Sequence, residues 1–517
     1  MFLITSADFI NSGLSAEYGK IPPSFLPLQN KRLYEHQLAL FGSNETVVLS
    51  LPMGFLVSEY DTKILTKKNV KIVYVPLGFS LGQSIVYVLN VVSIYQEPLK
   101  ILHGDTLFKS LPHELNVFLV SKTDDNYDWA VSESVNNEKF VYAGYFSFSN
   151  QSNLIKCITE SNYNFIKGVK GYKNQFEVNE IIGDSWLDFG HSNTFYKSKT
   201  TLTTQRAFND LVIDGFSVVK CSEDNKKILA ESNWFKSVPI GLKKYIPSLW
   251  DCGIKDNKGF YQIEYFYLSS LAELYVFGEN EIFVWQNILK SCNQFLMDCL
   301  IFKDPSKLDL ERFGNRLYGE KTIKRINIYA KAQNLDLNKR WILNGQSLPS
   351  IKTIIDEMNV LIPIPSVEVQ SIMHGDFCFS NILYNFRTQS IKVIDPRGLD
   401  EDRNETIYGD VRYDIAKIAH SVLGLYDFII AGYFTYKELK PYHIEFEIYT
   451  NPTIRKIQAY YENCRMGGMS IDKACTYPIL IHLFLSMLPL HNDNPVRQQA
   501  FLANALRLYV YFKNQKS

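Results

Sequence analysis

The sequence predicts an α/β domain on a mostly parallel sheet, followed by an α+β domain that is chiefly helical. Three observations lead there. A chain of 517 residues exceeds the size at which one hydrophobic core keeps growing, so at least two domains are expected. Roughly the first 200 residues alternate short β-branched runs with helical patterns, as parallel α/β sheets do. After "WLDFGHSNTFYKSKTTLTTQ" a polar Ser/Thr/Lys stretch changes the texture and places a boundary after residue 198, giving domains 1–198 and 199–517.

In chain order, "FLIT", "VVLSLP", "VKIVYVP" and "LKILHGD" read as strands, with "NKRLYEHQLALF" and "SLGQSIVYVLNVVSIY" as crossovers. "LNVFLVSK" and "FVYAGYFSFS" continue the sheet, because a parallel ladder needs a crossover between paired strands. "LVIDGFSVVKCSEDNKK" reads as a hairpin and a charged turn. From about residue 265 apolar residues fall at helical spacing, in "LSSLAELYVFG" and "IFVWQNILKSCNQFLMDCLIF" and then from "VRYDIAKIAHSVLGLYDFIIAG" to "QQAFLANALRLYVYF".

Lys plus Arg equals Asp plus Glu at 54 each, which leaves no overall basic field for nucleic acid or an anionic membrane. The eight cysteines form no CxxC pair and no regular framework, as in a reducing compartment. The start "MFLITSADFINSG" lacks a basic n-region and reads as a buried strand. "IAHSVLGLYDFIIAGYF" is interrupted by His420 and Asp427 and is short for a membrane span. These features predict a cytoplasmic protein without a membrane span; oligomeric state is not encoded in any of them.

The stretch "SIMHGDFCFSNILYNFRTQSIKVIDPRG", Ser371 to Gly398, sets His374, Asp376, Asn381 and Asp395 among short apolar strands. Buried carboxylates are stable only when they satisfy one another or bind something that does. The spacing suits phosphoryl transfer, which needs a carboxylate within reach of the attacking hydroxyl and oxygen ligands that hold Mg²⁺ on nucleotide phosphates. Asp376 is the candidate base, His374 a catalytic-loop residue that orients it, and Asn381 and Asp395 the metal ligands. The turn "NFRTQS" is expected to bring Asn381 and Asp395 together.

Here the chain resembles the aminoglycoside phosphotransferase and choline kinase family, the small-molecule branch of the protein-kinase-like fold. "HGDFCFSN" resembles its catalytic loop, "VIDPRG" its second metal motif, and "GDVRYDIAKIAHS" the following helix, where Asp414 would fix the loop. The resemblance implies ATP and Mg²⁺ as cofactors, a small lobe over 199–268 and a helical lobe over 269–517. It also implies Lys220 of "SVVKCS" on the nucleotide phosphates, Glu231 as its helix partner, and a hinge at Glu264 and Tyr265 that holds adenine. Only Gly215 stands where a Gly-rich phosphate loop would precede Lys220.

In the first half, "LKILHGDTLF" ends a strand with Asp105, and Asp188 follows Trp186-Leu187. Two acidic ligands that hold Mg²⁺ against nucleotide phosphates are what nucleotidyl transfer needs, and strand C-termini are where an open α/β sheet places them. This region resembles the sugar-1-phosphate and phosphocholine nucleotidyltransferases: "HGDTLF" and "WLDFGH" resemble their metal motifs, "PLGFSLGQSIVYVL" with Gly82 the segment beside the nucleobase, and "FVYAGYFSFS" with Gly144 a sugar-contacting strand. The family's Gly-rich opening and arginine are replaced by "TSADFINSGLSAEYGK", and Pro23 stands at its lysine. Lys20, Lys31 or Arg32 then remain to supply positive charge to the phosphates.

Together the two resemblances imply a bifunctional enzyme. The C-terminal domain would phosphorylate a small acceptor such as choline, ethanolamine or a sugar, and the N-terminal domain would join that phosphate to a nucleotide from a second nucleoside triphosphate, CTP or another. Two alternatives stay open: a kinase with an inert nucleotide-sugar-binding N-terminal domain, and a non-catalytic nucleotide sensor.

Overall fold

The computed structural model describes residues 1–42, 45–123, 127, 129, 139–183, 185–202, 210–305 and 310–516. The chain divides into two compact units, Met1–Leu202 with Phe277–Glu279, and Thr203–Val276 with Asn280–Ser517.

The first unit is built on a seven-stranded sheet of β1 (Phe2–Thr5), β2 (Val47–Pro52), β3 (Lys71–Val75), β4 (Leu99–His103), β5 (Val117–Lys122), β6 (Phe140–Phe148) and β7 (Asn179–Ile182), in the order β7-β5-β6-β4-β1-β2-β3. Only β6 runs antiparallel to both its neighbours; the β1–β2, β2–β3, β1–β4 and β5–β7 pairs are parallel. Thr5 lies opposite Ser50 on one side and His103 on the other, so β1 and β4 end level while β2 runs two residues further, to Pro52. Asp105 therefore emerges at the sheet's carboxyl edge, two residues past β4.

Local sequence explains the crossover helix Leu81–Val92. Ser80 accepts from the Gln83 amide while the Gln83 side chain takes the Ser80 N–H, a reciprocal cap that fixes where the helix starts. Ile85, Val88, Leu89 and Val92 are buried on one stripe at i, i+3, i+4 and i+7, against a core that includes Leu3, Val48, Ile101 and Phe118. Burying each such side chain contributes roughly 1.5–3 kcal/mol. Gly82 has a packing reason: a Cβ there would lie 2.2 Å from the Tyr163 carbonyl oxygen.

The second unit opens with an antiparallel sheet of β8 (Asp210–Ile213), β9 (Ser217–Ser222), β10 (Leu249–Lys255) and β11 (Lys258–Glu264), in the order β8-β9-β11-β10. The helix Asn225–Ser237, capped by the Asp224 side chain, buries Ile228, Trp234 and Phe235. Helices follow, among them Ile282–Leu300, Val411–Val422, Thr476–Met487 and Pro495–Lys516. The hairpin of β12 (Ile382–Asn385) and β13 (Ser390–Val393) interrupts them. Its turn is closed by the Asn385 side chain, which accepts from the Arg387 and Thr388 amides.

One departure from the chiefly helical expectation is a four-stranded sheet of Gln346–Ser350, Arg340–Leu343, His443–Ile448 and Phe434–Lys440, in that spatial order. Asn344 and Gly345, both at positive φ, make its first hairpin, and Asn-Gly favours such tight turns. Among the described residues no helix is long and apolar enough to cross a membrane.

Candidate active sites

In the second unit the His374–Asn381 segment is held from several sides. The strand Gln370–Ile372 pairs with Tyr408–Asp410 and delivers the chain to Gly375, whose φ of 78° and close approach to the Arg397 side chain exclude a Cβ. Asp414, buried in the helix Val411–Val422, accepts from the His374 and Gly375 amides at 2.7 and 2.8 Å. Burial pushes the Asp414 carboxyl up to about 7, against the pull of those two amides.

His374 is fully buried. Its Nδ1 accepts from the Asp376 amide at 3.3 Å, and burial drops its pKa to about 4. A neutral ring in that position orients the loop; it does not reach the open face of the site, which removes His374 from the groups that touch a substrate. Asp376 is the more exposed of the two, at 41% for its side chain. Asn381 Nδ2 donates to the Asp376 carbonyl and to Asp376 Oδ2, at 2.9 and 3.0 Å, an arrangement that turns the amide oxygen of Asn381 the other way.

Asp395 takes a left-handed conformation, φ 57°, at the end of β13. Lys220 on β9 donates to Glu231 Oε2 at 2.7 Å and to Asp395 Oδ1 at 3.1 Å. The Tyr261 hydroxyl bridges the same two carboxylates at 3.1 and 3.2 Å. Burial pulls the Lys220 ammonium down, but Asp395 and Glu231 outweigh it and hold its pKa above the ordinary value. This ammonium closes one end of a cavity of about 230 Å³ whose walls include Leu211, Val218, Ile263, Phe266 and Leu383, with Asn381 and Asp395 at the same end. The cavity thus combines apolar walls with a cation and two hard-oxygen side chains, donors of the kind a divalent metal takes.

Glu264 and Tyr265, expected at the hinge, line the cavity; the Glu264 amide donates to the Ser248 carbonyl and the Tyr265 amide to the Phe216 carbonyl. The turn from β8 to β9 is tight: Asp214 accepts from the Phe216 and Ser217 amides, and the Tyr267 hydroxyl bonds the Gly215 carbonyl.

Sequence reasoning missed Lys417. It lies one helical turn beyond Asp414, and its Nζ is 2.7 Å from Asp376 Oδ1. Burial lowers its proton affinity, but Asp376 and then Tyr413 more than reverse that and hold its pKa above the ordinary value. The only sequence signal was the i, i+3 spacing from Asp414, which puts both side chains on one helix face.

In the first unit, a two-residue antiparallel pairing of Thr106–Leu107 with Leu187–Asp188 sets Asp188 opposite Thr106. The Phe189 amide donates to the Asp105 carbonyl. Between the two carboxylates stands Gly190: a Cβ there would lie 2.7 Å from Asp105 Oδ2 and 3.2 Å from Asp188 Oδ1, so the missing side chain leaves a space that faces both. Burial and then the Asp188 charge push the Asp105 carboxyl up to about 6. Asp188 also accepts from the Gly190 amide at 2.8 Å and from the Tyr127 hydroxyl. Gly144, at positive φ, approaches the Thr106 hydroxyl and His103.

Of the cations expected near the phosphates, Arg32 is buried, donates to the Phe25 carbonyl at 3.0 Å and faces Asp61 at 3.8 Å. That environment is structural. Lys20 and Lys31 are exposed. Among the described residues no group of three His, Cys, Asp or Glu gathers. A Mg²⁺ at either site would thus take one or two protein ligands and complete its shell with phosphate and water oxygens. The hard-oxygen donors and the cradle at Gly190 fit that role.

No family model matches the chain, and no curated protein does. Solved structures similar to it divide between its two parts, nucleotidyltransferases at the N-terminal part and aminoglycoside phosphotransferases at the rest. A UDP-glucose pyrophosphorylase complexed with UDP-glucose is 11% identical, with 39% of this chain and 97% of that chain covered and a TM-score of 0.30. A thermostable mutant of an aminoglycoside phosphotransferase in its apo form is 12% identical, with 59% and 92% covered and a TM-score of 0.36. A type VIII aminoglycoside-3'-phosphotransferase is 12% identical, with 60% and 96% covered and a TM-score of 0.27.

Proposed function

We propose that the chain is a bifunctional transferase. Its second unit phosphorylates a small alcohol or sugar with ATP, and its first unit joins the resulting phosphate to a nucleotide drawn from a second triphosphate, CTP or another. The observation that carries this reading is the Lys220–Glu231–Asp395 network at the end of an apolar slot, with Asn381 and Asp376 on the adjoining loop. In the kinase step the acceptor oxygen bonds to the γ-phosphorus as its bond to the β–γ bridging oxygen breaks. ADP leaves with the electron pair, and the hydroxyl proton passes to Asp376. Lys220 holds nucleotide phosphates, while Asn381 and Asp395 would hold Mg²⁺, which supplies charge neutralisation on the phosphate oxygens when bound.

In the first unit Asp105 and Asp188 would hold the metal for nucleotidyl transfer. The two reactions are consecutive, and fusion raises the concentration of the first product near the second site. Choline, ethanolamine or an amino sugar is the proposed acceptor class, and an activated precursor for surface polysaccharide the proposed product, made in the cytoplasm. The test is to incubate the full-length protein with Mg²⁺, ATP, each of the common triphosphates and each acceptor, and to measure ADP and pyrophosphate. Both products are expected with one acceptor; ADP and pyrophosphate that never exceed the acceptor-free rate would refute the reading.

A second reading has its own support: Arg32 donates to the Phe25 and Phe277 carbonyls and faces Asp61. A kinase whose first unit only binds a nucleotide sugar would yield ADP without pyrophosphate.

A further inference from the structure

We infer that Lys417 is a positioning residue for phosphoryl transfer, one that acts through the Asp376 carboxylate; this rests on the kinase reading of the second unit. Asp376 sits on a loop with a half-exposed side chain, and a carboxylate there has no intrinsic reason to keep one rotamer. Two anchors fix it from different sides: Lys417 Nζ on Oδ1 at 2.7 Å and Asn381 Nδ2 on Oδ2 at 3.0 Å. With both oxygens engaged, the plane of the carboxylate is set before an acceptor arrives, and preorganisation of that kind is where positioning lowers a barrier.

The helix Val411–Val422 makes this arrangement rigid. One of its faces clamps the loop's main chain through Asp414, with bonds to the His374 and Gly375 amides, and one turn later delivers the ammonium to the loop's side chain. The Lys417 side chain is only 16% exposed. Withdrawing an ammonium from water that far costs several kcal/mol unless a partner compensates, and the compensating partner is the proposed base.

A purely structural ion pair at this place would affect folding alone, so the measurement must separate rate from binding. In the full-length protein with Mg-ATP and choline, ethanolamine or glucosamine as acceptor, or with water as acceptor in slow ATP hydrolysis, Lys417→Met is expected to lower kcat about 100-fold. KM for ATP and calorimetric Mg-ATP binding should stay within about two-fold, because Lys220, Asn381 and Asp395 are untouched. Lys417→Arg, which keeps the charge, should recover most of the lost rate. Adding Lys417→Met to Asp376→Asn should cost little more than Asp376→Asn alone, since both act on one group. A folded Lys417→Met protein with wild-type kcat would overturn the inference, as would a Lys417→Arg protein as slow as Lys417→Met, or a double variant whose losses multiply. Wild-type protein that never turns over ATP would instead sink the kinase reading itself.

Discussion

The two acidic sites solve the problem of keeping carboxylates in a partly buried place in opposite ways. In the second unit an ammonium faces each of two carboxylates: Lys417 on Asp376 at 2.7 Å, and Lys220, shared with Glu231, on Asp395 at 3.1 Å. In the first unit Asp105 and Asp188 face the same gap at Gly190, and among the described ion pairs none includes either of them; the outcome is a carboxyl at Asp105 raised to about 6. The first arrangement is organised without any ligand. The second sets two carboxylates against one gap with neutral donors on each, a repulsion that a divalent cation would relieve.

That contrast predicts separable losses. The largest is expected from Asp376→Asn, which should reduce acceptor phosphorylation on the order of 1000-fold while the protein stays folded and its Mg-ATP binding persists. Pyrophosphate release from a supplied phosphorylated acceptor should be unaffected. Next comes Gly190→Ala. Its Cβ would enter the space 2.7 Å from Asp105 Oδ2, so pyrophosphate release should fall about 100-fold with ADP formation unchanged, a result that assaying both products in one reaction would check. Equal damage to both activities would erase the proposed independence of the sites.

Smaller effects sharpen the electrostatic half of the comparison. Asp105 has a folded pKa of about 6 against a usual value of 3.8, so in chelator its contribution is fully present below pH 4 and is lost as pH rises through 6. Asp105→Asn should therefore stabilise the metal-free protein at pH 7 by about 1–2 kcal/mol, visible as a higher Tm, and the gain should vanish at pH 4. Adding Mg²⁺ should stabilise the wild type more than this variant, whose second-unit metal ligands are untouched. The smallest effect is expected at Tyr261→Phe, which removes one neutral hydrogen bond to Glu231 and Asp395 but leaves Lys220 in place. KM for ATP should rise only about two- to five-fold, as roughly 0.5–1 kcal/mol per bond implies.

The hairpin missed in the second half shows where the sequence could have been read further. "RWILNGQSLPS" carries Asn344-Gly345 between two short apolar runs, a local turn signal, but its first strand, Arg340–Leu343, pairs with His443–Ile448 a hundred residues on. Helical periodicity in the surrounding segments hid it. At Gly82 a Cβ would meet the Tyr163 carbonyl, a contact no spacing rule exposes.

What the sequence determined by itself was whatever is local. His374, Asp376 and Asn381 fall within eight residues, so their relation is set by one loop and one Gly at positive φ. The strand order's parallel character follows from alternating β-branched and amphipathic runs, because only a crossover lets parallel strands pair. The tertiary structure alone decided which distant charges meet. Lys220 reaches Asp395 across 175 positions, Lys417 reaches the Asp376 loop from the helix Val411–Val422, and Arg32 faces Asp61. A lone lysine or arginine carries the same +1 charge wherever it stands in the chain; its partner is chosen by which side chains burial forces to share a low-dielectric space, and that is a property of the packed fold.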